Sequence, residues 1–170
     1  LVNDMYAKDF SAKAKLSLKQ RREEGSYVGG LPPYGYDAYQ EGRIRRLRPD
    51  RNTAEIVRVI YELFVETENC QAVADWLNKR RINPPSAYRK SGEVYCPPGT
   101  EYRGWSRGAV ERIVKSETYI GALVQGKTSL TARKEENRIR KPEEEWVKRE
   151  NTHEPLIDLK LYKQARNICC

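Results

Sequence analysis

The sequence predicts an α+β fold that is mostly helical, with a long N-terminal helix followed by a compact helical body that holds a small β-element and a helix-turn-helix-like pair. Three observations predict it. Residues 4–24 contain neither Gly nor Pro, apolar residues recur at helical spacing in four later segments, and Gly and Pro cluster in two stretches that no helix or central strand can cross. The length of 170 residues suits one domain, or a domain with an appended element.

The charge of the chain indicates the chemistry of its partner. One third of the residues are charged and the formal net charge is +8, which favours an anionic partner such as nucleic acid or an acidic membrane surface. No apolar run approaches the ~20 residues of a membrane span, and no signal peptide opens the sequence. We therefore expect a soluble protein of the cytoplasm.

Metal and cofactor sites are not expected. The four cysteines (Cys70, Cys96, Cys169, Cys170) have no Cys-x-x-Cys spacing, and the one histidine is His153. A structural zinc site needs four ligands in paired clusters, so the sequence predicts neither a metal site nor a cofactor. Thiols of this kind are typical of a reducing compartment.

The N-terminal segment predicts one helix over residues 4–24, which Gly25 ends. Its basic residues share one face and its apolar residues form a broad arc elsewhere. The basic face is Lys8, Lys15, Lys19 and Arg22. The apolar arc is Met5, Phe10, Ala12, Ala14, Leu16 and Leu18. Such a face suits either phosphate contacts or simple solvation, and the arc requires a packing partner.

The octapeptide Gly29-Gly30-Leu31-Pro32-Pro33-Tyr34-Gly35-Tyr36, which we call the joint, separates this helix from the body. Its glycines permit unusual backbone angles, and its prolines fix φ and lack N–H donors. A thin segment rich in Gly and Pro is what a chain crossing a DNA minor groove requires. The prolines would limit the angle between helix and body, while Gly29 and Gly30 would allow close approach to the groove.

The first half of the body predicts a hairpin and two core helices. Residues 34–39 and 43–48 form the hairpin around Gln40-Glu41-Gly42. Asn52 with Glu55 three residues later is a capping-box signal that starts a helix, and a second helix covers residues 70–80. Residues 84–104 hold several prolines and glycines and predict an irregular loop, which at this length is usually functional or mobile.

The second half predicts a helix over residues 106–116 with Ser106 as its N-cap, a strand over residues 119–125 and a returning strand over residues 145–149. Residues 126–145 are charged and poor in apolar residues, which predicts a long exposed loop. Asp158 caps a last helix, with Ile157 and Tyr162 at hydrophobic-staple positions.

No catalytic constellation is found. The sequence has no P-loop, no GxSxG, no HExxH and no Cys/His pairing. A Ser-His-Asp site would require His153, which we interpret as a structural turn residue. A phosphoesterase that uses His153 remains a remote alternative.

Positive charge is concentrated between Arg103 and Lys141, with ten basic and four acidic residues. The helices over 70–80 and 106–116 follow the logic of a helix-turn-helix variant, although their connection is far longer than usual. Arg can pair with guanine or clamp a phosphate, whereas Lys acts as a point charge. The candidate DNA-binding residues are Lys8, Lys15, Lys19, Arg21 and Arg22 for the phosphate backbone, Arg103, Arg107 and Arg112 for the major groove, and also Gly29, Gly30, Ser106, Arg133 and Lys134.

Several segments together resemble one known family, and they occur in the same order over nearly the whole chain. They are Met5-Tyr6-Ala7-Lys8-Asp9, residues 13–25, the joint, residues 54–64, residues 73–78, Trp105-Ser106 with residues 110–114, Tyr119-Ile120-Gly121 and residues 153–157. In these segments the chain resembles the large serine recombinases, also called serine integrases.

The resemblance implies a division of the chain. Residues 1–25 would be the end of a long interdomain helix, residues 26–36 a Gly/Pro-rich segment that contains the joint, residues 37–157 the recombinase DNA-binding domain, and residues 158–170 a helix leading toward a zinc ribbon. The catalytic serine domain and the zinc ribbon would lie outside this chain, so no catalytic or metal role is assigned to any residue, including Ser11, Ser17 and Ser106.

The resemblance also implies a function and partners. The fragment would bind attachment-site half-sites in double-stranded DNA during integration or excision of a bacterial or phage-encoded mobile element. The parent protein would be a dimer on a site and a tetramer in synapsis. A stand-alone DNA- or RNA-binding regulator with a helix-turn-helix-like fold remains the alternative.

Overall fold

A computed structural model describes residues 2–130 and 138–169. Six helices and six short strands, with two 3₁₀ turns, follow one another along the described chain, so the expected mostly helical α+β fold is confirmed. The helices are α1 (Val2–Glu23), α2 (Ala54–Thr67), α3 (Cys70–Lys79), α4 (Pro85–Ser91), α5 (Arg107–Val114) and α6 (Leu159–Ile168). The strands are β1 (Tyr36–Glu41), β2 (Ile44–Pro49), β3 (Leu123–Gln125), β4 (Thr128–Leu130), β5 (Arg138–Arg140) and β6 (Val147–Arg149).

Helix α1 ends as the sequence predicts. Gly25 takes φ +79°, its N–H donates to the Arg22 carbonyl, and the Ser26 N–H donates to the Arg21 carbonyl. These two bonds are the Schellman pattern that satisfies the last carbonyls of a helix. The Arg149 side chain donates from Nε to the Glu23 carbonyl at 2.7 Å and ties the end of α1 to β6. Helix α1, which we call the arm, therefore leaves the body from a fixed end.

The predicted hairpin is confirmed. Strands β1 and β2 pair antiparallel, from Tyr36 opposite Pro49 to Glu41 opposite Ile44. The first strand begins two residues later than expected, because Gly35 at φ +90° turns the chain into the core.

The core lies between α2, α3, α5 and α6, which pack on one another. The buried face of α2 carries Val57, Ile60 and Tyr61, and α3 and α5 contribute residues such as Leu77 and Val110. The Tyr61 hydroxyl is buried and donates to the Ile113 carbonyl at 2.8 Å, which satisfies a polar group that water cannot reach. None of the described helices is long and apolar enough to cross a membrane.

Helix caps account for several element boundaries. Ser106 accepts from the Ala109 N–H and Asp158 from the Leu161 N–H, so both predicted caps are confirmed. The capping box predicted at Asn52 is wrong. Helix α2 begins at Ala54, and the Thr53 hydroxyl donates to the Asp50 carboxylate at 2.6 Å instead of capping the helix.

The segment 84–104 is less irregular than the sequence predicts. It contains α4, which begins at Pro85; a proline at the first helical position costs nothing, because that N–H has no intrahelical partner. Helices α3 and α5 pack together, but α4 lies between them in the chain, and a helix-turn-helix is not confirmed.

Two further expectations need correction. The predicted strand over 119–125 begins instead with a 3₁₀ turn (Glu117–Ile120), because Ser116 caps the Thr118 N–H, and strand structure starts only at β3. The described part of the predicted long loop over 126–145 holds strands β4 and β5 and a 3₁₀ turn (Glu143–Glu145), since backbone pairing does not require apolar side chains; residues 131–137 of that prediction lie outside the described residues. The returning strand β6 is confirmed and pairs with β3.

Candidate nucleic-acid interface

The joint is anchored in the core by Tyr34. Its buried ring makes edge contacts with Trp105 and Tyr88, at centroid distances of 5.3 and 5.8 Å. The Tyr119 hydroxyl donates to the Tyr34 carbonyl at 2.8 Å, and the Tyr34 hydroxyl donates to the Asn83 carbonyl at 3.3 Å. The C-terminal end of the joint is therefore packed into the body.

The side chain of Asn78, near the end of α3, fixes the start of α5. Its Oδ1 accepts from the Trp105 N–H at 2.7 Å and from the Tyr102 hydroxyl at 2.9 Å, and its Nδ2 donates to the Trp105 carbonyl at 3.0 Å. A Cβ on Gly104 would lie 2.6 Å from the same Oδ1, so a larger residue there would collide with the amide. The residue before the Ser106 cap is thereby held against α3.

Arg81 organises the loop before α5. Its backbone takes φ +52°, and its guanidinium donates to the carbonyls of Cys96, Pro97 and Thr100. The same group lies 5.2 Å from the ring centroid of Tyr102. The loop is thus held by hydrogen bonds at several points, which gives Arg103 an ordered support.

The joint, α4 and α5 line an open groove of about 510 Å³, which we call the arginine groove. Pro33 and Tyr34 line one side, Arg89 of α4 lines another, and Ser106 and Arg112 lie on the α5 side. Arg112 is exposed and makes no hydrogen bond or ion pair with any described residue. Its five N–H donors are therefore available to an external acceptor.

The three arginines predicted for the major groove do not share this groove. Arg112 lines it; Arg103 lines a neighbouring groove of about 420 Å³ with Lys90; and Arg107 lies at a third depression beside Cys70 and Glu111. The pKa of Glu111 is lowered, chiefly by its hydrogen bond from Lys115 and also by the Arg107 charge.

The basic residues of the arm are spread between solvent and body. Lys15 and Lys19 are exposed, and Lys19 lies 3.9 Å from Glu23, whereas Arg21 and Arg22 are half-buried. The Arg22 Nε atom is buried and has no partner among the described residues. The apolar arc is exposed at Phe10 and Leu16. The Lys8 side chain, Arg133 and Lys134 lie outside the described part of the chain.

Arg45 of β2, which no sequence pattern indicates as a site residue, fixes the N-terminal end of the joint. Its guanidinium donates to the Gly29 carbonyl at 2.6 Å and to the Gly30 carbonyl at 3.0 Å, and lies 5.3 Å from the Tyr27 ring centroid. The Gln125 side chain adds bonds from Val28 N–H and to the Ser26 carbonyl, both at 2.8 Å.

Arg89 was missed as well, and local spacing gave no signal for it. It lies in a segment predicted to be irregular, and its Nη2 donates to the Pro32 carbonyl at 3.3 Å across 57 residues. For Arg45, the alternation of the hairpin identifies a strand face but cannot identify the loop that packs on that face.

His153 has a structural position. Its Nε2 lies 2.7 Å from the Thr118 carbonyl and its Nδ1 lies 2.7 Å from the Thr152 hydroxyl, while the Tyr36 ring packs edge-on at 4.8 Å. Burial lowers the pKa of His153, which favours the neutral form of the ring. Both ring nitrogens are used within the fold, which agrees with the interpretation of His153 as a turn residue.

The fold and the site define a helical module with an open surface flanked by arginines. Residues 51–169 match the Recombinase family, and the chain belongs to that family, so the resemblance stated from the sequence is confirmed. Two solved structures are similar to this chain. One, described as a crystal structure of an LSR–DNA complex, shares 16% identity at a TM-score of 0.55 over 92% of this chain.

The other structure concerns the sequence requirements of the Listeria innocua prophage attP site, and it shares 16% identity at a TM-score of 0.57 over 92% of this chain. The present chain spans 38% of the first of these chains and 51% of the second. At this identity the likeness is one of fold.

Proposed function

We propose that this chain is the DNA-binding part of a large serine recombinase and recognises attachment-site half-sites in double-stranded DNA, in integration or excision. The observation that carries the proposal is the arginine groove, an open surface lined both by Arg112 and by the anchored joint. Family membership supports the same conclusion. Both similar structures concern DNA by their descriptions.

The chemistry of the groove suits DNA. Arg112 has no acceptor among the described residues and offers a planar fork that matches guanine O6 and N7 or a phosphate. Arg103 and Lys90 flank the adjacent groove and extend the positive surface along α4. An exposed, basic surface formed by two helices and a loop is typical of a polyanion contact, whereas an enclosed apolar pocket is typical of a small-molecule site.

The other candidate DNA-binding residues are assigned either to phosphate contacts or to base contacts. Phosphate contacts set register and base contacts set sequence preference. We assign Lys8, Lys15, Lys19, Arg21 and Arg22 of the arm to the phosphate backbone, with Arg133 and Lys134 as further candidates. Arg107 is separated from the arginine groove, so its base contact would require a second DNA-facing surface on α5.

The wider assignments belong to the same proposal. The divisions 1–25, 26–36, 37–157 and 158–170, the dimer on a site, the tetramer in synapsis and the cytoplasmic location are proposed for the parent protein. One observation separates this from a stand-alone regulator: the reading frame before Leu1 should encode a resolvase-type catalytic domain.

Selection from a pool of randomised duplexes, followed by affinity measurement against salt, tests the proposal. We expect an enriched sequence, with log affinity falling linearly with log salt at a slope near −0.9 per neutralised phosphate. Arg112→Ala should weaken binding about 5-fold or more. Lys163→Ala on α6 removes the same charge from an exposed residue that lines none of the grooves described above, and it should change affinity little.

The outcomes are separable. Absence of duplex binding at low salt overturns the proposal. Equal competition by double-stranded RNA favours the stand-alone regulator. If Arg112→Ala and Lys163→Ala bind alike, the arginine groove is not the contact surface.

A further inference from the structure

The backbone carbonyls of four consecutive joint residues are all held by side chains. Arg45 donates to Gly29 and Gly30, the Tyr27 hydroxyl donates to Leu31, and Arg89 donates to Pro32. These donors come from β2, from the turn after α1 and from α4. The acceptor side of this segment is therefore occupied within the fold.

The donor side of the same segment is free. The N–H groups of Gly29, Gly30 and Leu31, which we call the donor strip, donate to no residue in the described chain. Gly30 and Leu31 are exposed. The preceding amides are used, since Tyr27 N–H donates to the Arg45 carbonyl and Val28 N–H to Gln125. The strip ends at Pro32, which has no N–H.

We propose that the donor strip binds hydrogen-bond acceptors of the DNA duplex, and that Arg45 is the residue that positions it; this inference rests on the proposed function. A peptide segment normally presents donors and acceptors together. In the joint, the carbonyl acceptors are already bonded to Arg45, Tyr27 and Arg89. The N–H groups that remain therefore match a partner that offers hydrogen-bond acceptors alone. DNA has two such sources, the phosphate oxygens and the minor-groove edge of A·T pairs, which shows only purine N3 and pyrimidine O2.

The minor-groove source makes a specific demand on sequence. A G·C pair adds the guanine N2 amino donor, which would oppose a backbone N–H. An inosine·cytosine pair lacks that amino group and presents the same minor-groove acceptors as A·T. A donor strip in the minor groove therefore accepts A·T and I·C and rejects G·C.

Arg45 is suited to positioning because its fork reaches two successive carbonyls at once. Its own backbone is fixed to the residues just before the joint, since Arg45 N–H donates to the Ser26 hydroxyl at 3.0 Å and the Arg45 carbonyl accepts from Tyr27 N–H at 2.7 Å. A lysine would keep the charge but present a single ammonium. A Cβ on Gly29 would lie 2.2 Å from the Tyr27 hydroxyl, so the strip also requires glycine there.

The test compares Arg45→Lys with Arg48→Lys in the 170-residue chain. Both changes preserve net charge on β2, and Arg48 pairs with Asp37 and is not a donor to the joint carbonyls. The probe is the duplex recovered by selection, with each A·T pair replaced in turn by I·C or G·C, and separately with each phosphate replaced by uncharged methylphosphonate.

For the minor-groove source, the wild type and Arg48→Lys should lose about 5-fold or more in affinity at particular pairs with G·C but not with I·C. Arg45→Lys should reduce that ratio toward one. For the phosphate source, particular methylphosphonates should weaken the wild type and Arg48→Lys but not Arg45→Lys. Either pattern supports the donor strip and identifies its acceptor.

A pattern that is the same in Arg45→Lys and Arg48→Lys overturns the role of Arg45. Amide hydrogen exchange of the wild type gives a readout that does not depend on any variant folding. Binding of the selected duplex should protect Gly30 and Leu31, and unchanged exchange at both overturns the proposal. Duplex binding with these negative results leaves the proposed function intact.

Discussion

Replacement of Gly35 by alanine tests how the joint is built into the core. A Cβ at this position would lie 2.6 Å from Val57 Cγ2 and 2.9 Å from Leu156 Cδ1, and φ is +90°. Both neighbours are buried and cannot move into solvent. We expect about 1–3 kcal/mol from the backbone conformation and about 1–3 kcal/mol from overpacking, so about 2–6 kcal/mol in total.

That loss is large against the ~5–15 kcal/mol that stabilises a typical domain. Urea unfolding followed by far-UV circular dichroism measures it, and at about 2–4 °C per kcal/mol the melting temperature should fall by about 4–24 °C.

The matched control is Gly30→Ala. Nothing lies within 4 Å of a Cβ there and no left-handed φ is required, so the change should stay within about 0.5 kcal/mol. If Gly35→Ala costs no more than Gly30→Ala, the joint is not packed against Val57 and Leu156 in the folded protein.

Three further predictions concern the joint and its supports. Burial lowers the pKa of His153 below its unfolded value of about 6.5, so its contribution to stability should be full above that pH and decline as pH falls toward the folded pKa; urea unfolding at several pH values should show this slope in the wild type and a flatter one in His153→Gln. Asn78→Ala should cost about 2–4 kcal/mol by leaving Trp105 backbone groups without partners, while Lys79→Ala next to it should be near neutral in the same assay. Replacing Pro32-Pro33 by two glycines should weaken binding to a full half-site more than to its body-contacting portion, at about 0.4–1 kcal/mol per proline, and equal losses on both duplexes would contradict the role of the joint.

Local signals in the sequence predict the elements well where they act over a few residues. Ser106 and Asp158 each satisfy an N–H three residues ahead, and Gly25 ends α1 by its own φ. Where a local rule has two uses, the prediction fails. The prolines of residues 84–104 predict an irregular loop, but Pro85 occupies the first position of a helix, which prolines favour.

The candidate site depends on contacts that no local pattern encodes. Gln125 reaches Ser26 across 99 residues, and Arg45 reaches Gly29 across 16. Part of the site was nevertheless accessible from helix geometry alone. Arg107 and Arg112 are five residues apart, which places them about 140° apart around α5, and the structure puts them at different grooves.

The hydrogen bond from Arg149 to the Glu23 carbonyl fixes the C-terminal end of α1, so a small rotation at this end moves the N-terminal end over a much larger distance. The 22 residues of α1, at 1.5 Å each, give a length of about 33 Å from this hydrogen bond to the other end of the helix. A rotation of about 10° at Gly25 would therefore displace that other end by about 6 Å. The direction of α1 therefore depends on the hydrogen bonds at its C-terminal end, which are the Arg149 bond to Glu23 and the two backbone bonds from Gly25 and Ser26. Substitutions of Arg149 should therefore shift the N-terminal end of α1, although they leave the sequence of α1 unchanged.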